Sequence, residues 1–359
     1  MYARMSDPIR YGIIGTGMMG CEHILNLGLV GGAVVTAIAD RNESSRGWGR
    51  SVAPAGVEVY EDHREMLRRA PIDAVVIATP NFTHFDVLQD VWRTKLHVLV
   101  EKPMCTRIDD CHRVVEAAAK HAGVFWVGME YRYMRAVDHL IAQVHGGAVG
   151  RLWMLAIREH RFPFLPKVDN WNRFNRNTGG TLVEKCCHFF DLMNLIARRK
   201  PVRVYASGGC DVNHLDERYD GEVPDIVDNA YSIVDFEGGT RALLDLCMFA
   251  ENSPNEVEIA ATGEKGKIEA FVPAHKVVWS RRDGSERETK SFDAGGDARY
   301  PGAHHGSTFY EHVAFLDAIS NGTRPAVTAA DGALAVAVGA AAELSIVEKR
   351  PVELRELGF

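Results

Sequence analysis

"IRYGIIGTGMMGCEHILNL" (Ile9–Leu27) decides how the rest of the chain is read. Ile9 to Ile14 reads as a strand, and the chain then turns through Gly15, Gly17 and Gly20. After the turn, Ile24, Leu25 and Leu27 with Leu29 supply the apolar face of a helix. A G-x-G-x-x-G spacing alone carries little weight, because the chain holds 33 glycines. This copy follows a strand and opens a helix at the start of the chain, which is the context a dinucleotide site needs. Gly15 allows the tight turn, Gly17 lets a pyrophosphate approach the backbone, and Gly20 lets helix and strand pack closely. The helix N-terminus, with Met18 and Met19, then faces the phosphates.

A second apolar strand, "AVVTAIAD", ends in Asp40, roughly twenty residues beyond the turn. A carboxylate there binds the adenosine ribose hydroxyls and repels a 2′-phosphate. Arg41 follows and tolerates a phosphate, so NAD is the expected cofactor and NADP the alternative. The alternation continues with "DAVVIATP" as strand, "THFDVLQDVWRT" as helix, "HVLV" as strand, "DDCHRVVEAAAKHA" as helix and "VFWVGME" as strand. Strands separated by helices of this length imply a parallel, doubly wound sheet with helices on both faces. Ligands of such sheets lie beyond the carboxyl ends of the strands. Thr79, Pro80 and Asn81, then Glu101, Lys102 and Pro103, then Glu130 to Arg132 all follow strands at that edge. That placement explains why the buried-looking run "LHVLV" stops in an acid and a base: charges there face a ligand.

With 359 residues the chain exceeds one ordinary core, and two domains are expected, 1–128 and 129–359, with a C-terminal helix packing back on the first. A net charge of -7 leaves no basic footprint for nucleic acid. The most apolar late stretch, "ALAVAVGAAAELSI", is interrupted by Gly339 and Glu343 and is not expected to cross a membrane. The N-terminus has no apolar signal core. Seven scattered cysteines, an odd number, point to reduced thiols and a cytoplasmic location.

Beyond residue 128 the rhythm changes. "RLWMLAIREHRF", "VRVYASGG", "DNAYSIVDFEGGTRALLDLCMF", "NEVEIAATGEKGKIEAFV" and "HKVVWSRR" are strand-like runs joined by glycine-containing turns. Their succession predicts an open, largely antiparallel sheet, so this half is α+β. One helix is expected over "TGGTLVEKCCHFFDLMNLIARR" (Thr178–Arg199), with Glu184, His188 and Asp191 on a single face. Cys186, Cys187 and His188 do not read as a metal site, because consecutive helical residues point about 100° apart and no second ligand pair completes the set.

Taken together, GTGMMG, TPNFTH, the EKP after the fifth strand and the TGG…EKCCHFFD helix resemble the Gfo/Idh/MocA oxidoreductase family. The resemblance runs from Tyr11 to the closing "PAVTAADGALAVAVGAAAELSIVEKRPVEL". It implies an N-terminal Rossmann domain, a C-terminal domain whose sheet assembles a homodimer or homotetramer, and hydride transfer between NAD(P) and a hydroxyl or ketone of a sugar, inositol or related polyol. By position, Lys102 matches the family's catalytic lysine, preceding a peptide that is often cis, and His188 matches the proton-transfer histidine. Glu184 stands where relatives often have Asp, and Lys185 and Cys186 where they have small residues, which leaves the substrate open. Glu101 is expected to hold Lys102 or the ribose, with His84 and Glu130 as further cofactor contacts. Arg132, Trp171 and Arg173 are expected to line a pocket, and His304–His305 are further candidates. The family includes two other kinds of protein, NAD-dependent glycosidases that oxidise and re-reduce a sugar, and nucleotide-binding regulators. Retention of both Lys102 and His188 argues against a regulator.

Overall fold

The structure, a computed structural model, describes residues 7–293 and 296–359. It divides into two compact units, Met1–Glu130 with Gly295–Ala333, and Tyr131–Ala294 with Leu334–Phe359.

The first unit is built on β1 (Ile9–Ile14), β2 (Ala33–Ala39), β3 (Glu58–Tyr60), β4 (Ala74–Ile77), β5 (His97–Glu101) and β6 (Phe125–Gly128). They form one sheet in the order β3-β2-β1-β4-β5-β6, and every pairing is parallel. Helices α1 (Met18–Leu27), α2 (Glu43–Val52), α3 (His63–Arg69), α4 (His84–Val91) and α5 (Ile108–Ala118) make the crossovers. The central strands are covered on both faces, so "AVVI" of β4 and "VLV" of β5 are buried without alternation. Helix starts are set locally: Asn42 Oδ1 accepts from Ser45 N at 3.0 Å, and Asp62 Oδ1 from Arg64 N at 2.8 Å. The order reverses at β1, which lies between β2 and β4, and the loops after β1, β4, β5 and β6 share the carboxyl edge. A return segment adds the helix Ser307–Asn321 to this unit, and Glu22 of α1 accepts from Ala303 N at 3.2 Å and Thr308 Oγ1 at 3.0 Å.

The second unit carries α6 (Arg135–His145), β7 (Leu152–His160), α7 (Asn175–Thr178), α8 (Thr181–Glu184) and α9 (Cys187–Ala197). Strands β8 (Pro201–Gly209), β9 (Asn229–Phe236), β10 (Arg241–Cys247), β11 (Val257–Gly263), β12 (Gly266–Val272), β13 (Lys276–Arg281), β14 (Glu288–Ser291) and β15 (Val352–Glu353) follow. Their sheet has the order β14-β13-β12-β11-β7-β10-β9-β8-β15, antiparallel except where β7 runs beside β10. Burial alternates along β9 and β10, so one face meets the core and the other stays exposed.

Two expectations need correction. The helix expected over Thr178–Arg199 is broken: α8 ends at Glu184, Cys186 N still reaches back to Thr181 O, and α9 restarts at Cys187. The break turns Lys185 inward, where its ammonium is buried in an ion pair with Glu159 at 2.9 Å. Glu184 therefore sits on a different helix from His188 and Asp191. The second correction concerns "ALAVAVGAAAELSI", which lies in one unbroken helix, Ala329–Glu348, long and apolar enough by length and composition to cross a membrane. More than half of its most apolar window is buried within the protein, and Gly339 approaches the Leu182 carbonyl too closely for any Cβ.

Candidate functional site

At the carboxyl edge of the first sheet the glycine turn has the shape a pyrophosphate needs. Gly15 takes φ 90°, and a Cβ there would sit 2.6 Å from the Ala78 carbonyl. A Cβ on Gly20 would fall 1.9 Å from Gly15 O, so only glycine lets α1 start this close to β1. At Gly17, by contrast, nothing lies within 4 Å of where a Cβ would project, and no side chain caps the N-terminus of α1 there. A positive helix end with open space before it fits the pyrophosphate of a dinucleotide. Asp40, at the end of β2, accepts from Thr16 N at 2.7 Å and Asn42 N at 2.8 Å, so its carboxylate also braces the glycine turn.

The loops after β4 and β5 are tied by a buried histidine. His84 Nδ1 lies 2.9 Å from Pro103 O, and Nε2 lies 2.9 Å from Thr79 O. Burial pushes its pKa down, and a neutral ring donates to only one of the two carbonyls. Thr79 is further fixed by Thr83 Oγ1 at 2.7 Å, and Asn81 is buried. The Lys102–Pro103 peptide is cis.

Glu101 is the end of a buried relay. Its Oε2 accepts from Lys102 N at 3.0 Å, its Oε1 lies 2.8 Å from His23 Nε2, and His23 Nδ1 lies 2.8 Å from His312 Nε2. Burial would raise the Glu101 pKa, but the His23 hydrogen bond and charge, with Lys102, hold it near about 2. Burial drives His312 well below the usual histidine range, so its ring is neutral, and one proton is shared between His23 Nδ1 and His312 Nε2 while His23 Nε2–H donates to the Glu101 carboxylate. A second cluster joins Glu22, His304 and Glu130: His304 Nδ1 is 3.1 Å from Glu22 Oε1, and Nε2 is 3.5 Å from Glu130 Oε1. Burial raises Glu130 to about 6, although His304 opposes the shift. Burial disfavours the charged His304, yet Glu130 and Glu22 raise its pKa overall.

In the second unit several candidate side chains gather around the start of α9. Arg132 Nε donates to Asp191 Oδ2 at 2.6 Å, and its Nη2 donates to Oδ1, a forked pair buried at both ends. His188 is 1% exposed, and its ring stacks on Tyr131 with centroids 4.1 Å apart. Lys185 Nζ donates to the Tyr131 hydroxyl at 2.8 Å. Arg173 is committed elsewhere, to Glu217 at 2.9 Å, and Trp171 beside it is half-buried. His305 takes a left-handed backbone, φ 55°, at the end of a short turn.

Sequence reasoning named Glu101, Lys102, His188 and Arg132 as candidates, and did not name the residues that the structure packs against Glu101, His188 and Arg132. His23 could have been read from the G-x-x-H continuation of the turn, a histidine on the buried face of α1. Glu22, His312, Tyr131, Lys185 and Glu159 leave no such trace, since their partners are remote in sequence.

Comparison with known proteins accords with this geometry. Residues 9–129 match the family described as "Oxidoreductase family, NAD-binding Rossmann fold", and residues 141–354 match "Oxidoreductase family, C-terminal alpha/beta domain". Myo-inositol 2-dehydrogenase of Thermotoga maritima is 29% identical over 351 residues, covering 97% of this chain and 99% of that protein. The scyllo-inositol 2-dehydrogenase (NAD(+)) of Bacillus subtilis is 25% identical over 98% of this chain and 97% of its own. Among solved structures, a probable dehydrogenase from Thermotoga maritima superposes with a TM-score of 0.78 at 26% identity, over 97% of this chain and 100% of that one. With both halves matched in order, the chain belongs to the Gfo/Idh/MocA oxidoreductase family, with an NAD-binding Rossmann domain at its N-terminus.

Proposed function

We propose that this protein is an NAD-dependent dehydrogenase that oxidises a secondary hydroxyl of an inositol, or of a related sugar or polyol, to a ketone. The observation that carries the reading is the end-to-end similarity to a myo-inositol 2-dehydrogenase in a chain that keeps Lys102 and His188. Gly15, Gly17, Met18, Met19 and Gly20 would hold the pyrophosphate at the N-terminus of α1, and Asp40 the ribose hydroxyls, with Arg41 beside it. Thr79, Pro80, Asn81 and His84 shape the loop after β4, and Glu101 and Glu130 flank the edge after β5 and β6. When bound, NAD supplies the hydride acceptor.

The chain's own groups handle the proton and the charge. A ring nitrogen of His188 takes the hydroxyl proton, and the Lys102 ammonium stabilises negative charge on the oxygen as the carbon loses its hydride. Glu184 contacts substrate hydroxyls or orients His188. Arg132, forked to Asp191, holds the α9 turn that carries the histidine. Arg173 and Trp171 are further substrate contacts on this reading. A dinucleotide-dependent reaction supports a cytoplasmic location, and the exposed apolar row on the second sheet supports a homo-oligomer.

A panel of inositols and sugars, offered with NAD and with NADP while reduced cofactor is followed by absorbance, tests the proposal. Accumulation of NADH with an inositol or sugar supports it. Glycoside cleavage without accumulated NADH replaces it with the glycosidase, and no reaction with any polyol overturns it.

A further inference from the structure

One chain of buried contacts in the second unit ends on His188. Glu159 is 0% exposed and Lys185 6% exposed, and their charges meet at 2.9 Å. Arg161 lies 3.2 Å from the same Glu159 oxygen. Lys185 Nζ also donates to the Tyr131 hydroxyl at 2.8 Å and lies 5.2 Å from the centre of that ring. The Tyr131 phenol in turn lies face to face with the His188 imidazole, and Phe189 meets it edge-on at 5.7 Å.

Charge balance is not all that Lys185 supplies. Arg161 is shared between Glu159 and Glu256, each at 3.2 Å, so Lys185 completes two cations for two carboxylates, and that balance does not by itself call for a phenol on the ammonium. What the ammonium adds is a fixed hydrogen bond to one phenol, and that phenol has one ring stacked on its face. An imidazole otherwise turns easily about its terminal torsion, which has a broad, roughly two-fold well. A parallel ring 4.1 Å away blocks that turn, because rotation drives the imidazole edge into the phenol face.

We propose that Tyr131 is a positioning residue for His188. Lys185, held by Glu159, fixes the phenol, and the phenol fixes the plane in which the proton-accepting nitrogen points. The proposal rests on the reading of His188 as the proton-transfer residue. Proton transfer needs heavy atoms about 2.6–3.2 Å apart, so a swinging ring loses turnover without losing substrate affinity.

The test uses the full chain and two independent readouts. In the proton NMR spectrum the carbon-bound His188 ring protons, assigned by their loss in His188→Gln, should lie upfield under the phenol ring current. They should move downfield in Tyr131→Leu and part of the way in both Tyr131→Phe and Lys185→Met, each of which removes the hydrogen bond to the phenol. In steady-state assays, Tyr131→Leu and Lys185→Met should each lower kcat about tenfold with KM nearly unchanged, the split expected when only orientation is lost. The pH midpoint of kcat/KM should shift in both, and Tyr131→Phe, which keeps the stacked ring without its hydrogen bond, should lie between wild type and Tyr131→Leu in turnover. Should Tyr131→Leu or Lys185→Met fail to fold, Tyr131→Phe carries the test, since it removes the hydrogen bond to the phenol and leaves the Lys185–Glu159 ion pair intact. Unshifted His188 protons in the wild type, or protons that stay put in Lys185→Met, overturn the proposal. Unchanged kcat and pH profile in folded Lys185→Met overturn it too, and leave the assignment of the reaction standing. The NMR arm needs no substrate, so it decides the point even where no polyol is oxidised.

Discussion

The imidazole of His188 lies parallel to the phenol of Tyr131, 4.1 Å between centroids and 6° between planes. Tyr131 follows the last strand of the first sheet by only three residues, and His188 opens α9, so a contact between residues 57 apart fixes the ring. Arg132, the next residue, forks onto Asp191 one turn along the same helix. Consecutive side chains of "EYRY" thus anchor the one helix turn that carries the proposed base.

Lys102→Ala is expected to lower kcat about a hundredfold or more, the range for losing a group that stabilises charge in the transition state. NAD affinity should fall only modestly, because the glycine turn and Asp40 lie on other strands. Lys102→Arg should not restore turnover, since a guanidinium differs in shape and cannot give up its proton. His188→Ala should lower turnover similarly, and the double variant should cost far less than the product of the two losses. Steady-state kinetics with NAD binding measured alongside decides it, and a normal kcat in Lys102→Ala removes the lysine from the mechanism.

Asp40→Ser should shift preference from NAD toward NADP by about tenfold or more, equivalent to about 1.4 kcal/mol. The structure adds a second effect. Asp40 Oδ2 accepts from Thr16 N at 2.7 Å, so the substitution also loosens the glycine turn and should weaken binding of both cofactors. Comparing kcat/KM for NAD and NADP separates preference from overall loss. A wild type that already prefers NADP would assign control of that site to Arg41.

Local patterns carried most of the fold. The strand–turn–helix at Ile9–Leu27 and the fully apolar β4 and β5 specify a parallel sheet, and the alternation along β9 and β10 an open one. The residues at the strand ends were legible for the same reason, since their position follows from the strand before them. The break after Glu184 was not legible, because "TLVEKCCHFF" has good helical periodicity and the inward turn of Lys185 depends on Glu159, on a strand remote in sequence. The return of Ser307–Asn321 to the first unit is likewise hidden, since it is sealed by Glu22 on Thr308 and by His23 on His312, contacts that form only in the folded chain. Seven cysteines carry no disulfide, but thiols such as Cys186 and Cys187 serve here simply as buried side chains.

Stability should fall as pH rises through neutrality, on account of Glu343. Its Oε1 accepts from Leu182 N at 2.8 Å, and burial, with Asp225 adding to it, raises its pKa from 4.5 to about 7. The folded protein therefore keeps a proton that the unfolded chain has released, and the associated stability is complete below about pH 4.5 and lost as pH passes about 7. A shift of this size is worth up to about 3 kcal/mol, and the side chain's partial exposure reduces that to about 1–2 kcal/mol. Glu343→Gln keeps an acceptor for Leu182 N without the charge. Urea unfolding should show the variant more stable than wild type at pH 8.5 and equal to it at pH 5. A difference that does not change with pH would place the effect in packing.

The exposed face of the second sheet should join two copies of the chain. Its register lines Tyr205, Ile233, Leu243 and Ala156 into one row across β8, β9, β10 and β7. Ile233, at the middle, is 45% exposed, and neighbouring Tyr231 and Met154 are exposed as well. Ion pairs flank the row, Arg203 with Asp235 at 2.6 Å on one side and Arg158 with Asp245 at 3.0 Å on the other. A face with an apolar centre and charges of both signs at its rim can match a rotated copy of itself, apolar row on row and acid on base. Ile233→Arg places a cation in the centre of that row, where it is costly only if the face is covered. Light scattering behind size exclusion should show wild type as a dimer or tetramer and the variant as a smaller species, with its far-ultraviolet circular dichroism unchanged. A wild type that runs as a monomer at micromolar concentration would leave this face open to solvent and refute the assembly.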